Sequence, residues 1–347
     1  MKKWFPVLLP LMTAALLAAD AAWQMQPTGT SERLRGVSAV SDTVAWASGN
    51  KGTVVRTDDG GQHWTVLPVP GAEALDFRDI EAIDARTAYV LAIGAGDKSR
   101  IYKTRDAGKQ WTLQFTSTDP KAFYDAIAFW DERNGIAVGD LVDGRFTILR
   151  TADGGSTWSP IPDANRPQAL DGEGMFAASG TCLTTLAPGD AWFGTGGAAR
   201  SRIFRSSDRG VTWSSADTPI ASGTSSAGVF SIAFSDRLHG LAVGGDYRKE
   251  RESGDNIATT ADGGKTWTLP GATRLRGFRS GVAFVQGDGR VAVAVGPAGT
   301  DRTVDGGRSW TPIDDTGFHA VSVGRVGTTA WAAGEQGRVG KTTVAAK

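Results

Sequence analysis

Six copies of one octapeptide recur along the chain, and no other feature of the sequence restricts the fold as strongly. The shared pattern is Ser/Thr-x-Asp-x-Gly-x-x-Trp, with spacings between successive Trp residues of 47, 47, 55, 54 and 43. We expect these residues to be structural, because the Asp accepts hydrogen bonds from its own turn, the Gly supplies a positive φ, and the Trp packs between neighbouring sheets. The repeated pairs are Asp59 and Trp64, Asp106 and Trp111, Asp153 and Trp158, Asp208 and Trp213, Asp262 and Trp267, and Asp305 and Trp310.

Each octapeptide lies between two short strand-like runs, which is typical of a β-hairpin turn. Residues 53–56 and 64–67 are the runs around the first copy. Two further strand-like runs precede each hairpin, for example residues 126–129 and 135–138 before the third copy. Four strands in about 47 residues are the signature of a β-propeller blade.

A seventh unit has every part of this pattern except its last strand. Residues 330–342 parallel residues 45–57, and no octapeptide follows them. The fourth strand begins with Trp in the other blades, and residues 23–26 (Trp-Gln-Met-Gln) supply such a strand. Pairing it with the last blade removes an open sheet edge. The sequence therefore predicts an all-β fold, a seven-bladed β-propeller of four-stranded antiparallel blades, in a single domain over residues 22–347.

The N-terminal residues 1–21 are typical of a signal peptide. Two Lys precede an apolar run over residues 4–19, and residues 19–21 (Ala-Asp-Ala) form a small-x-small cleavage pattern. The run is short for a membrane span and contains two Pro. We expect cleavage after Ala21 and an exported protein, periplasmic or extracellular.

Composition excludes several classes of function. The 37 basic and 37 acidic side chains give a formal net charge of zero, so we expect no nucleic-acid partner. One Cys excludes a disulfide framework and a Cys-based zinc site, and we expect Cys182 to be a small buried hydrophobic residue. No His pair has metal-binding spacing, and no dinucleotide fingerprint opens a helix. We therefore predict neither a metal nor a cofactor, and a monomer.

The octapeptides resemble the Asp-box (BNR) motif of sialidase-like propellers. Roughly residues 22–343 resemble the photosystem II stability/assembly factor-like family of exported seven-bladed propellers. The stretches that carry this resemblance are residues 97–104, 194–205, 243–247, 278–281 and 296–301. Photosynthetic members of that family act as assembly chaperones for a membrane reaction-centre subunit and use a basic patch on the propeller. The resemblance implies a protein partner, such as a membrane or envelope protein.

Candidate binding residues lie on the face opposite the octapeptides, where the loops vary from blade to blade. Aligning the starts of the inner strands predicts a ring around the tunnel mouth made by Arg35, Arg78, Tyr124, Arg279 and His319. Two carboxylates, Asp79 and Asp125, follow one residue further in. Other loops on this side add Arg100, Asp140, Arg145, Glu173, Arg202, Asp246, Tyr247 and Asp301.

Two functions from different classes remain open. Converging Arg side chains favour carboxylate or phosphate groups, since a guanidinium offers two parallel donors. The first interpretation is a non-catalytic scaffold that binds a protein through this Arg-rich face. The alternative is a propeller that binds a small anionic ligand or a glycan, with sialidase-like or glycoside hydrolase activity, in which Asp79 and Asp125 would be the carboxylate pair. Internal pairing of the Arg and Asp side chains explains the same residues equally well.

Overall fold

The structure, a computed structural model, describes residues 23–271 and 274–344, and the signal-peptide prediction for residues 1–21 lies outside them. Within these ranges nearly all regular structure is β-strand, with two short 3₁₀ turns at Gly96–Lys98 and Asp163–Asn165. The strands are β1 (Gln24–Gln26), β2 (Leu34–Ala39), β3 (Ala45–Gly49), β4 (Val54–Thr57), β5 (Thr65–Val66), β6 (Asp76–Ala82), β7 (Ala88–Ile93), β8 (Arg100–Thr104), β9 (Thr112–Thr116), β10 (Tyr124–Phe129), β11 (Gly135–Val142), β12 (Arg145–Thr151), β13 (Ser159–Pro160), β14 (Leu183–Leu186), β15 (Asp190–Gly194), β16 (Ser201–Ser206), β17 (Ser214–Thr218), β18 (Ala227–Phe234), β19 (Gly240–Asp246), β20 (Ile257–Thr260), β21 (Gly281–Phe284), β22 (Ala292–Gly296), β23 (Gly299–Thr303), β24 (Thr311–Asp314), β25 (Ala320–Val323), β26 (Thr329–Ala333) and β27 (Val339–Thr343).

These strands form seven antiparallel sheets, which confirms the predicted seven-bladed propeller. Blade one contains β2–β5, blade two β6–β9, blade three β10–β13, blade four β14–β17, blade five β18–β20, blade six β21–β24, and blade seven β25–β27 with β1. Blade five has three strands, and a single bridge between Thr259 and Thr268 stands where the other blades have a fourth.

The N-terminal strand completes the last blade, as the sequence predicted. Strand β1 pairs antiparallel with β27, with Gln24 opposite Lys341 and Gln26 opposite Val339. Because the two ends of the chain share one sheet, blade seven has its fourth strand, and β27 pairs on both sides.

The six octapeptide turns share one pattern of hydrogen bonds, and the third copy illustrates it. The Thr151 hydroxyl accepts from the backbone N–H of Gly155 at 2.8 Å and donates to Asp153 Oδ1 at 2.9 Å. Asp153 Oδ1 also accepts from the backbone N–H of Thr157 at 2.9 Å. Gly155 has a φ of 80°, in the left-handed region that favours glycine. Each turn thus satisfies its own backbone donors without water.

The hydrophobic core lies between adjacent blades rather than at the axis. One cluster joins Trp46 and Val54 of blade one to Phe77, Ile80 and Val90 of blade two. Successive inner strands carry one apolar face against each neighbour, so the core is a ring of seven interfaces that leaves space along the axis.

Among residues 23–271 and 274–344, no helix is long and apolar enough to cross a membrane.

Candidate functional site

Bulges at the start of the inner strands decide which side chains face the tunnel mouth. The register shifts between Leu34 and Gly36 in β2 and between Phe77 and Asp79 in β6, and Arg35 and Arg78 are the residues at the bulges. A bulge turns the extra residue away from the ladder, so both guanidinium groups leave the sheet at this edge.

In blade three the bulge lies one residue later than the prediction requires. Here the shift falls between Tyr124 and Ala126, so Asp125, not Tyr124, takes the position of Arg35 and Arg78. Tyr124 takes the position of Leu34 and packs edge-to-face on Phe115, with ring centroids 5.6 Å apart. Burial raises the pKa of Tyr124 to about 12. The expectation that Tyr124 lines the mouth was therefore wrong by one residue.

Blade six shows the same one-residue error. The backbone N–H of Arg279 donates to Gly244 O of the preceding blade, as the N–H of Phe318 does to Gly296 O. Arg279 therefore aligns with Phe318, and Ser280 stands at the mouth. The Arg279 side chain is fully buried, and its Nε donates to Asp301 Oδ2 at 2.8 Å. Burial lowers the pKa of Arg279, and Asp301 opposes that shift.

A cavity of about 520 Å³ opens at this end of the tunnel, and we call it the funnel. It lies on the face opposite the octapeptides, because its walls come from the starts of inner strands and the ends of the strands paired with them. The residues that line it include Arg33, Arg35, Arg78, Asp125, Asp140, Phe176, Phe230, Tyr247, Phe278 and His319. Six of the predicted site residues thus meet in one cavity: Arg35, Arg78, Asp125, Asp140, Tyr247 and His319.

Three Arg side chains lie on one side of the funnel, and two of them share a single carboxylate. Asp76 Oδ2 accepts from Arg78 Nε at 2.8 Å and lies 4.0 Å from Arg33 Nη2. Arg35 has no carboxylate partner within the described part of the chain, and its Nε donates to the carbonyl oxygen of Ala178 at 2.9 Å. Burial, and then the charges of Arg78 and Arg33, lower the pKa of Arg35 to about 9. The charges of Asp76 and Glu335 oppose this shift, but three Arg side chains against these two carboxylates leave an excess of positive charge that favours an anion.

The opposite side of the funnel is aromatic. The rings of Phe176 and Phe230 stack at 4.0 Å, and Phe278 meets Phe230 edge-on at 4.6 Å. Tyr247 lies 6.1 Å from Phe230 and is 41% exposed at the rim. An apolar or aromatic group of a ligand would find a contact surface here, beside the cationic wall.

His319 contributes a neutral side chain at pH 7. Its Nε2 lies 2.7 Å from Glu335 Oε1, and burial followed by the charge of Arg35 lowers the pKa of His319 to about 4. The positive charge of the funnel therefore comes from arginine alone.

A segment of the long connection before β14 crosses the tunnel and closes the bottom of the funnel. Met175, Phe176, Ala177 and Ala178 line the funnel, whereas residues 179–181 line a second cavity of about 600 Å³ on the octapeptide side. Arg78 Nη1 donates to Ala177 O at 2.7 Å, which fixes the segment beside the Arg35 contact. The crossing segment therefore divides the tunnel into two separate cavities, one at each end.

Asp79 belongs to the second cavity, not to the funnel. Its Oδ2 accepts from the backbone N–H of Ile127 in the next blade at 2.7 Å. Ser231 Oγ accepts from Val282 N at 3.0 Å in the same way three blades further on. Burial raises the pKa of Asp79 to about 8. Asp79 thus joins adjacent inner strands, and the crossing segment separates it from Asp125, so the two do not form the predicted carboxylate pair.

The remaining predicted site residues lie outside the funnel lining, and most have partners within the chain. Glu173 accepts from Arg202 Nε at 2.9 Å and from the Thr195 hydroxyl at 2.6 Å. Arg100 donates to Asp97 O, Arg145 to Arg166 O, and Asp246 accepts from the backbone N–H of Arg248. Ionic pairing within the chain thus accounts for Glu173 with Arg202, for Arg100 with Asp97 and for Arg279 with Asp301, but not for Arg35.

The sequence analysis missed Arg33 and, on the aromatic side of the funnel, Phe176, Phe230 and Phe278. Phe230 stands at the bulge of β18, between Val229 and Ser231, so aligning blade five with blades one and two would have found it. Phe176 lies on the crossing segment, which has no counterpart in the other blades and so offered no register. Among the described residues, no three His, Cys, Asp or Glu side chains are placed to hold a metal ion.

Neither the family models nor the curated proteins compared with this sequence give a match. Solved structures do. YCF48 bound to a D1 peptide matches with a TM-score of 0.64 and 15% identity, over 96% of this chain and 99% of that one. The chain shares the fold of that propeller. At this level of identity the likeness shows the fold alone.

Two other solved structures, of different proteins, match this chain as well. U3-55K has a TM-score of 0.66 and 10% identity, over 94% of this chain and 100% of that one. The GH74 xyloglucanase from Xanthomonas campestris has a TM-score of 0.61 and 16% identity, over 93% of this chain and 54% of that one. The same fold thus occurs in YCF48, U3-55K and a xyloglucanase. The fold therefore does not identify the function, which has to be inferred from the site.

Proposed function

We propose that this protein is an exported, non-catalytic binding propeller that holds a segment of a partner protein in the funnel. The observation that carries the proposal is the unpaired Arg35, which stands in a cavity of about 520 Å³ beside two further Arg and opposite an aromatic wall. Arg35 is half-buried, and a partly desolvated cation without a carboxylate partner is costly, so a carboxylate of the partner would relieve that cost.

The shape and chemistry of the funnel favour a protein segment. A carboxylate would contact Arg35, while an apolar side chain next to it would pack on Phe176 and Phe230. Tyr247 at the rim extends the apolar surface outward, where a chain leaving the funnel would pass. The structure of YCF48 bound to a D1 peptide adds that a propeller of this fold takes a peptide.

Export determines which proteins the funnel would meet. The signal-type residues 1–21 would direct the chain out of the cytoplasm, where membrane and envelope proteins are available as partners. We therefore propose a membrane or envelope protein that is bound by the exported monomer during its assembly or maturation.

Site-specific photo-crosslinking in the producing cells tests this proposal. A photoreactive phenylalanine analogue replaces Tyr247 at the funnel rim or, as the matched control, Val326, which is 74% exposed beside the second cavity. We expect the Tyr247 probe to attach to one envelope protein, and the Val326 probe to leave that protein unlabelled. Equal labelling from both positions, or no specific product from Tyr247, would contradict the proposal.

A second candidate function is glycan hydrolysis, which the carboxyl groups of Asp125 and Asp140 in one cavity favour. The xyloglucanase with the same fold supplies a substrate to test. Release of reducing sugar from xyloglucan, and its loss in Asp140→Asn, would support hydrolysis. We expect no release, because the binding proposal assigns no turnover to the funnel.

A further inference from the structure

One carboxyl group in the funnel has an oxygen atom that nothing in the described chain contacts. Asp125, at the bulge of β10, lines the cavity and is 1% exposed. Its Oδ2 has no hydrogen-bond partner among the described residues. Buried polar atoms in native proteins are nearly always paired, so an unpaired carboxyl oxygen beside a cavity indicates a partner that enters from the cavity.

The surroundings of Asp125 disfavour a negative charge. Burial raises the pKa of Asp125 well above its usual range, and the Asp140 carboxyl adds to the shift, while the backbone N–H of Asp140 and the guanidinium of Arg78 oppose it. Arg78 is already bonded to Asp76. Burial raises the pKa of Asp140 as well. A neutral carboxylic acid at Asp125 is the form that this environment favours.

A neutral Asp125 changes what the funnel can bind. The protonated carboxyl carries an O–H donor, and its Oδ2 has no hydrogen-bond partner among the described residues. The neighbouring Asp140 accepts at Oδ1 from the backbone N–H of Met175 at 2.8 Å, and no bond joins it to Asp125 Oδ2. The donor therefore has to find its acceptor in the cavity.

We propose that Asp125 acts as a neutral hydrogen-bond donor and that, together with Arg35, it binds a carboxylate group of the partner. This inference rests on the proposed function and names the group that the funnel recognises. A carboxylate accepts from a guanidinium on one side and from a carboxylic acid on the other, which no ammonium or guanidinium of a partner does. The cationic wall and Asp125 would then select for anions together, although one of them is an acidic residue.

The arrangement makes binding depend on pH. While Asp125 is protonated it donates to the ligand; as the pH rises through its raised pKa, it becomes an anion that repels the same ligand. Affinity should therefore be present at lower pH and be lost as the pH rises. The other ionisable groups that line the funnel or lie near Asp125 are Arg33, Arg35, Arg78, Asp79, Asp140, Cys182, Tyr247, Glu250 and His319.

The experiment uses 4-fluorophenylacetate, a carboxylate with one aromatic ring, and follows its binding by ¹⁹F NMR from about pH 5.5 to about pH 8, a range in which Arg35, with a pKa of about 9, stays charged. We expect the parent protein to lose about tenfold in affinity over this range, since one hydrogen bond is replaced by a repulsion. Asp125→Asn keeps an N–H donor, so it should bind as the parent does at low pH and lose the pH dependence. Asp125→Ala should bind about tenfold more weakly at low pH, with a flat profile.

Each result decides the inference. A pH profile in Asp125→Asn like that of the parent, full affinity in Asp125→Ala, or no binding of the probe to the parent would overturn it. Thermal melting of both variants shows whether they remain folded. If the probe binds without regard to Asp125 while the Tyr247 crosslink captures a partner, the inference fails and the proposed function stands. If the probe binds as expected and no partner is captured, the proposed function fails and the carboxylate site stands.

Two short peptides then identify the source of the carboxylate. One is an acetylated, amidated peptide with Phe next to Asp, and the other is an acetylated peptide that ends in Phe with a free C-terminus. The peptide that shows the dependence on Asp125 indicates whether the funnel takes an acidic side chain or a chain end.

Discussion

The indole Nε1 of Trp23 donates to the Thr300 hydroxyl at 2.9 Å, across 277 residues of sequence. The Trp23 ring also contacts Phe318 at 5.0 Å, between blades six and seven. The Trp23 side chain therefore contacts both blade six and blade seven, and these contacts add to the pairing of β1 with β27 that closes the ring.

Trp23→Ala should lower the free energy of unfolding by about 3 kcal/mol, because it removes a buried aromatic ring and one buried hydrogen bond. Urea unfolding followed by Trp fluorescence or circular dichroism measures the change. The matched control in the same strand is Met25→Ala, whose side chain is 48% exposed and should change stability little. Equal effects of the two substitutions would contradict a closing role for Trp23.

The hydroxyl group of the Ser or Thr that begins each octapeptide should contribute more to the free energy of unfolding than an ordinary surface contact does. Thr151→Val leaves the buried N–H of Gly155 without an acceptor, so we expect a loss of about 1 to 2 kcal/mol in the free energy of unfolding. Ser156→Ala in the same turn is the control, since that side chain is exposed and bonds only to Asp153 O. A loss no larger in Thr151→Val than in Ser156→Ala would show that the turn does not depend on this bond.

Asp79 should make the protein less stable at alkaline pH. Its pKa is raised to about 8 in the folded state, so the folded protein holds a proton that the unfolded chain has released, and stability falls as the pH rises from about 4 to about 8. Asp79→Asn keeps an acceptor for Ile127 N–H and removes the charge. We expect the variant to exceed the parent in stability at about pH 9, by an amount on the order of 2 kcal/mol.

Urea unfolding at several pH values measures this difference. Asp59→Asn is a control of opposite sign, because hydrogen bonds from the His63 backbone and side chain lower the pKa of Asp59 to about 2. If the difference in stability between Asp79→Asn and the parent does not grow as the pH rises from about 4 to about 8, Asp79 is not held neutral.

The leader predicts a defined mature N-terminus. We expect mass spectrometry of protein from the periplasm or the medium to give a chain that begins at residue 22, with the preceding 21 residues removed. Trp23 would then be the second residue and β1 would begin directly after it. Recovery of the full-length chain in the membrane fraction would favour a retained anchor instead.

The fold could be predicted from the sequence because the repeated octapeptide is a local signal. Its Asp, Gly and Trp residues satisfy the needs of their own turn, so the six copies and their spacing predict six blades, and the incomplete unit at residues 330–342 predicts the seventh. The closing strand at residues 24–26 followed from the same repetition, since blade seven lacked one element.

The candidate site could be predicted only in part. Arg35 and Arg78 were placed correctly because they follow the same hydrophobic position in two blades with the same bulge. In blades three and six the alignment slipped by one residue, which exchanges the inside and the outside of a strand and explains the error at Tyr124 and Arg279. Phe176 could not be found, because the crossing segment has no repeat to align.

The central claim is that the unpaired Arg35 holds an anionic segment of a partner protein, and its most direct test is the crosslink yield from the Tyr247 probe in an Arg35→Gln background. Gln can still donate to Ala178 O, so the crossing segment keeps a contact while the charge is lost. We expect the yield to fall about tenfold, since a charge-assisted bond is removed. Arg100→Gln, outside the funnel and beside Asp97, should leave the yield unchanged. An undiminished yield in Arg35→Gln, with the variant folded, would contradict the account.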